Sequence, residues 1–228
     1  MPFQMLLPES TETMKEYYEG NDYIVKEVLK QNFEINNINP LCRKNCPLCC
    51  YQLILVSPLE ALTAFNYFVM KYKNTEYEKK FLERGFKLDE KTREIMVNTL
   101  GGIVDIQPEK EDKNFISYAI AYNLEKIPCI YLENNECLIY PFRPSVCRFQ
   151  FNFNNVKNCD FQNYPNPFKK NKGIMNLSSL DSRIIEGVNK DLINVHNYLN
   201  IEFGFVTLLT CASLILSNQF FDFFGKEH

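Results

Sequence analysis

A chain of 228 residues with 46% hydrophobic and 23% charged residues is long enough to bury a substantial core and too ordinary in composition for a disordered or membrane protein. A net charge of -3 without a dense Lys/Arg run leaves no footprint for a nucleic acid, and the absence of a Gly/Pro/Ser-rich linker predicts a single domain over 1–228. Residues 1–13 lack the basic and apolar regions of a secretory signal, so the cytoplasm is expected, where nine cysteines suit metals or redox chemistry better than structural disulfides.

Ser10 and Asn21 stand where N-caps belong, predicting a helix over 11–19 stopped by Gly20 and a second over 22–33. Tyr23, Ile24, Val28, Leu29 and Phe33 give the second an apolar stripe. A loop rich in Asn, Pro and Cys follows over 36–47, then a short apolar run at 51–56. That run ends at Ser57-Pro58-Leu59-Glu60, where serine caps, proline takes the first helical position and glutamate closes a capping box, starting a helix over 58–72.

Further helices are predicted over 76–86 and 89–100, the latter ended by Gly101-Gly102, while 103–107 and 115–122 read ambiguously, with short strands one outcome. Two apolar stretches, 129–132 and 137–140, flank Glu133-Asn134-Asn135-Glu136 and predict a hairpin that sets Cys129 near Cys137. Pro144 then starts a short helix or turn carrying Cys147 and Arg148. Residues 152–172 read as a surface loop, followed by a helix over 179–199 and an apolar helix within 201–221. Thr207, Thr210, Ser213, Ser217, Asn218 and Gln219 interrupt that last segment, which places it in a core and not in a membrane. The expected fold class is mainly α with a small β-hairpin, a helical bundle around a cysteine-cluster core at 41–148.

The cysteines carry the chemistry. Cys42, Cys46, Cys49 and Cys50 form the pattern C-x3-C-x2-C-C; Cys129, Cys137 and Cys147 follow later, then Cys159, while Cys211 stands alone on the apolar segment. Zinc takes about four ligands at roughly 2.3 Å from sulfur, and a [4Fe–4S] cluster also takes four cysteines, so spacing leaves both open. Only His196 and His228 are present, which excludes a site made mostly of imidazoles. Neighbouring side chains diverge, so Cys49 and Cys50 can serve different sites. Arg43, Lys44, Arg143 and Arg148 stand beside the thiols and offset their charge. Cys42-x3-Cys46-x2-Cys49 also has the spacing of radical S-adenosylmethionine enzymes, but no alternation of strands and helices follows it and Leu48 replaces the usual aromatic.

The cluster at 42–50, taken with Pro128-Cys129-Ile130-Tyr131-Leu132 and Cys137-Leu138-Ile139-Tyr140-Pro141-Phe142-Arg143-Pro144-Ser145-Val146-Cys147-Arg148, resembles the YkgJ-type cysteine-cluster family of zinc- or iron-chelating domains. The flagellin lysine methylases are similar to that family too. The resemblance implies Cys42, Cys46, Cys49, Cys50, Cys129, Cys137 and Cys147 as metal ligands, with Tyr140, Arg143 and Arg148 in the cofactor's surroundings and Pro144 as a signature neighbour. Ile130 departs from the family's usual small residue, and the long insert between the two halves leaves room for an added function. The leading expectation is a zinc- or iron(–sulfur)-binding protein whose thiolates come from both segments. The alternatives are a protein-lysine methyltransferase using S-adenosylmethionine beside an iron–sulfur cluster, and an electron-transfer protein. No nucleic acid or membrane partner is expected, and a protein partner stays open.

Overall fold

The computed structural model describes residues 9–36, 40–42, 45–102, 112–153, 156–159, 174–175, 182–199, 201–202 and 206–207, together with 212, 215, 222, 224 and 225. The sequence predicts two helices at the start of the chain; it forms one, α1, over Glu9–Asn36. Gly20 inside a helix costs only about 1 kcal/mol, and the residues around it have tertiary partners that outweigh this. Met14, Tyr17, Tyr18, Asn21 and Val25 are buried along one face, so Asn21 is a packing residue and not a cap. Ser10 is likewise buried, accepting a hydrogen bond from Asn66 Nδ2 at 3.2 Å. The expected stripe is rotated: Tyr23 is 66% exposed.

The capping box forms as read. Ser57 Oγ accepts from Glu60 N at 3.2 Å and Glu60 Oε2 accepts from Ser57 N at 3.1 Å, opening α2 at Pro58–Tyr72. A short strand, β1 (Leu55–Val56), precedes it. The two helices predicted next are one, α3 (Glu76–Leu100), because Phe81, Gly85, Leu88 and Ile95 keep a continuous buried face through the join. Gly101 ends it in the left-handed region at φ 77°, a conformation that favours glycine.

Residues 115–122 are helical, correcting the strand alternative. Phe115, Tyr118, Ala119 and Tyr122 are buried at helical spacing in α4 (Lys113–Leu124), and Asp112 caps it by accepting from the backbone of Asn114 and Phe115. The hairpin is present as β2 (Leu132–Glu133) and β3 (Glu136–Cys137), with Leu132 opposite Cys137. Asn134 and Asn135 hold φ 49° and 64°, the left-handed pair that a two-residue hairpin turn demands and that asparagine tolerates.

After it come α5 (Ser145–Arg148), β4 (Phe151–Asn152), β5 (Ile174–Met175) and α6 (Ser182–Tyr198). β4 pairs with β5, so the stretch read as a surface loop begins in a strand. The predicted apolar helix within 201–221 is corrected at β6 (Val206–Thr207), which pairs antiparallel with β1; β-branched side chains suit a strand closing an otherwise unpaired edge. Residues 103–107, Arg43, Lys44, Cys211 and most of 201–221 lie outside the described residues.

The fold is mainly α with small antiparallel pairs. α1 packs on α2, α5 and α6, while α3 packs on α2 and α4. Their shared core is aromatic: Phe68 stacks on Phe81 at 4.5 Å between ring centres, and Tyr131 stands 5.2 Å from Phe81. That contact fixes the approach to the hairpin, and Arg84 adds hydrogen bonds to the carbonyls of Ile130 and Leu132 and an ion pair with Glu133. No described helix is long and apolar enough to cross a membrane.

Candidate metal centre

The two cysteine segments meet backbone to backbone. Pro47 turns the first into a 3₁₀ coil over Leu48–Tyr51, and the carbonyl of Cys50 accepts from the N–H of Cys129 at 2.7 Å. Asn45 Nδ2 donates to Glu136 Oε1 at 3.0 Å, tying the loop to the hairpin tip. Between the segments lies a cavity of about 480 Å³ lined by Cys42, Cys46, Cys49, Cys50, Cys129, Cys137, Cys147 and Cys159. All seven cysteines singled out by the family resemblance therefore face one space, with Cys159 as an eighth.

Cys147 is held by a long-range device. One carboxylate oxygen of Glu60 completes the capping box of α2; the other accepts from the backbone N–H of Ser145 at 2.7 Å, at the start of α5. Ser145 Oγ also pairs with Tyr17 and accepts from Asn21 Nδ2, each at 3.0 Å. α1 and α2 thus grip the helix that presents Cys147 to the cavity.

The arginines separate in role. Arg143 lines the cavity, its guanidinium carbon 4.2 Å from the centre of the Tyr140 ring, which also lines it. The Arg143 Nε–H is buried without a hydrogen-bond acceptor among the described residues, a cation-borne donor on a residue that lines the thiol-rich cavity. Arg148 does not line the cavity. It is 2% exposed, bonds both carboxylate oxygens of Asp22 at 2.6 Å, donates to the carbonyls of Arg143 and Pro141 and lies over Tyr18. It positions the turn that carries Arg143 and does not face the cofactor space. Asp22→Ala strands this buried cation and is expected to cost about 2–4 kcal/mol, less than a fully enclosed pair because water reaches the Asp22 side. Urea unfolding measures it; a loss below about 1 kcal/mol would mean that the carbonyls and the Tyr18 ring suffice.

Burial pushes the thiols of Cys42, Cys137 and Cys159 up, that of Cys129 to about 12 and that of Cys147 well above its ordinary value. Cys49 is the exception. The hydrogen bond from Cys50 lowers it to about 7 against its burial, and the same bond, with burial, keeps Cys50 protonated. Thiols gathered in a low-dielectric cavity hold their protons until a cation compensates the thiolates.

Eight soft donors and one orphan cationic N–H fit a thiolate-bound metal. The spacing is wide, however: among the described residues no group of three Cys, His, Asp or Glu side chains stands close enough for one ion. A tetrahedral zinc site needs sulfurs about 3.8 Å apart, as its bond length of roughly 2.3 Å requires.

Sequence reasoning missed Glu60 as a strut, Asp22 as the partner of Arg148, and Asn152, whose backbone N–H and side-chain amide reach two thiols. Those contacts span 85, 126, 110 and 7 residues, and no local pattern announces the long ones.

No curated protein and no solved structure matches the chain. The family model named CxxCxxCC and described as "Putative zinc- or iron-chelating domain" matches residues 41–168, a stretch that contains every described residue lining the cavity. The chain inserts one residue into the spacing of that name, between Cys42 and Cys46, where Asn45 takes a left-handed turn at φ 64°. With more than half its length matched and the signature thiols around one space, the chain belongs to the CxxCxxCC family.

Proposed function

We propose that this protein holds a polynuclear iron–sulfur centre between its two cysteine segments. The observation that carries the reading is eight thiols lining one cavity of about 480 Å³, more soft donors than a single tetrahedral ion takes. In a cluster, inorganic sulfide stands between the metals and spreads the thiolate ligands further than a single ion does. Arg143 would offset the surplus negative charge and donate its free N–H to sulfur. The bound cluster would supply reversible one-electron chemistry.

Anaerobic purification followed by iron, zinc and acid-labile sulfide analysis tests this. Iron and sulfide in equal amounts with broad visible absorption are expected. Stoichiometric zinc without sulfide would replace the cluster by a zinc site, and a metal-free protein would end the metal reading altogether. Electron transfer follows from the same centre and predicts reversible bleaching by a reductant. Methyl transfer draws on the family resemblance, and calorimetry with S-adenosylmethionine decides it.

A further inference from the structure

Asn152 directs two donors at sulfur, and we infer that it is a positioning residue that ties Cys42 and Cys159 to one metal centre. This rests on the proposed metal binding and adds the residue that joins the first and the last of the cavity's cysteines.

Asn152 is 2% exposed and lines the cavity. Its backbone N–H donates to Cys42 Sγ at 3.3 Å and its side-chain Nδ2 donates to Cys159 Sγ at 3.0 Å. The backbone that carries these donors is itself anchored. The Asn152 carbonyl accepts from the N–H of Leu41 at 2.6 Å, next to Cys42, and Asn152 stands opposite Ile174 where β4 pairs with β5. Cys159 closes a 3₁₀ coil over Val156–Cys159. One strand residue thus holds a thiol from the first cysteine segment and a thiol from the coil that follows it.

A neutral thiol is a weak acceptor, and an amide buried against one recovers little of its lost hydration. Against a thiolate that ligates a metal the same N–H becomes a charge-assisted donor. Donors of that kind orient ligands and tune the metal that they hold. The two bonds of Asn152 also differ in what they depend on. The bond to Cys42 comes from the backbone and survives any side chain except proline, whereas the bond to Cys159 needs the amide. Substitution at this position therefore releases Cys159 and leaves Cys42 in place.

The test is a double-substitution cycle between Asn152 and Cys159 in full-length protein, purified anaerobically and loaded with ferrous iron and sulfide. The readouts are the chelator concentration that strips half of the metal and the midpoint potential of the centre, with circular dichroism as the check on folding. Asn152→Leu keeps the shape and loses the donor, and it should lower that concentration by about 10–100-fold, the usual cost of removing a partner of a metal ligand. In a Cys159→Ala background the same substitution should change nothing further, because its acceptor is gone. Asn152→Asp sets an acceptor and a negative charge beside the sulfur, so it should release metal at least as readily and shift the potential downward. A role in packing alone would leave the potential where it was. The aspartate variant also carries the test if the leucine variant does not fold. Additive effects in the cycle, Cys159→Ala without effect, metal held as tightly in both Asn152 variants as in the unaltered chain, or a potential unmoved by Asn152→Asp overturns the inference and leaves the metal-binding reading standing. An unaltered chain that takes up no metal defeats the underlying reading, and this inference with it.

Discussion

Stripping the metal from loaded protein with a chelator is expected to lower its Tm by about 8–16 °C. The estimate combines roughly 4 kcal/mol for a ligand present at a thousand times its dissociation constant with the 2–4 °C per kcal/mol typical of chains of this size. The helices have an aromatic core of their own, built on Phe68, Phe81 and Tyr131, so far-ultraviolet circular dichroism should persist below the new transition. Cys46→Ser should reproduce much of the shift, because Cys46 lines the cavity of the proposed centre, and Cys211→Ser little of it if that cysteine acts as a small apolar residue, as its apolar sequence surroundings suggest. Equal shifts for the two substitutions, or a Tm untouched by the chelator, would separate the cysteines from the stability of the loaded state.

Glu60→Ala is expected to cost about 2–5 kcal/mol in urea unfolding. It leaves two buried backbone N–H groups, those of Ser57 and Ser145, without their acceptor, and each such orphan costs about 1–3 kcal/mol. An ordinary capping glutamate at a solvated helix end is worth about 1 kcal/mol, so the excess measures the strut to α5. Metal content should fall in the same variant, since Ser145 is two residues from Cys147. A cost near 1 kcal/mol with metal uptake unchanged would reduce Glu60 to a cap.

Much of this was readable in advance where the cause is local. Ser57-Pro58-Leu59-Glu60 specifies its own helix start, Asn134-Asn135 its own turn, and the C-x3-C-x2-C-C run its own chemistry. The errors have local causes too. Gly20 and Asn21 carry the marks of a helix boundary, yet Asn21 is spent on Ser145, a partner no short window contains. Phe115, Tyr118, Ala119 and Tyr122 held the helical period all along, outweighed by their aromatic and β-sheet-like character. At Val206 the deciding fact was the free edge of β1. The candidate site divides the same way: its cysteines are legible as residues, whereas Asn152, Glu60 and Asp22 act across distances that only the folded chain reveals.

The backbone bond from Cys129 to Cys50 also sets an order of events during synthesis. When Cys50 leaves the ribosome, its hairpin partners are still untranslated, and about 100 more residues must be added before Cys147 emerges. At about 5–20 residues per second that interval lasts roughly 5–20 s. For its duration the nascent loop carries four cysteines without their counterparts, so a centre shared by both segments, as proposed above, would have to be filled after the second segment emerges or with the first segment shielded until then.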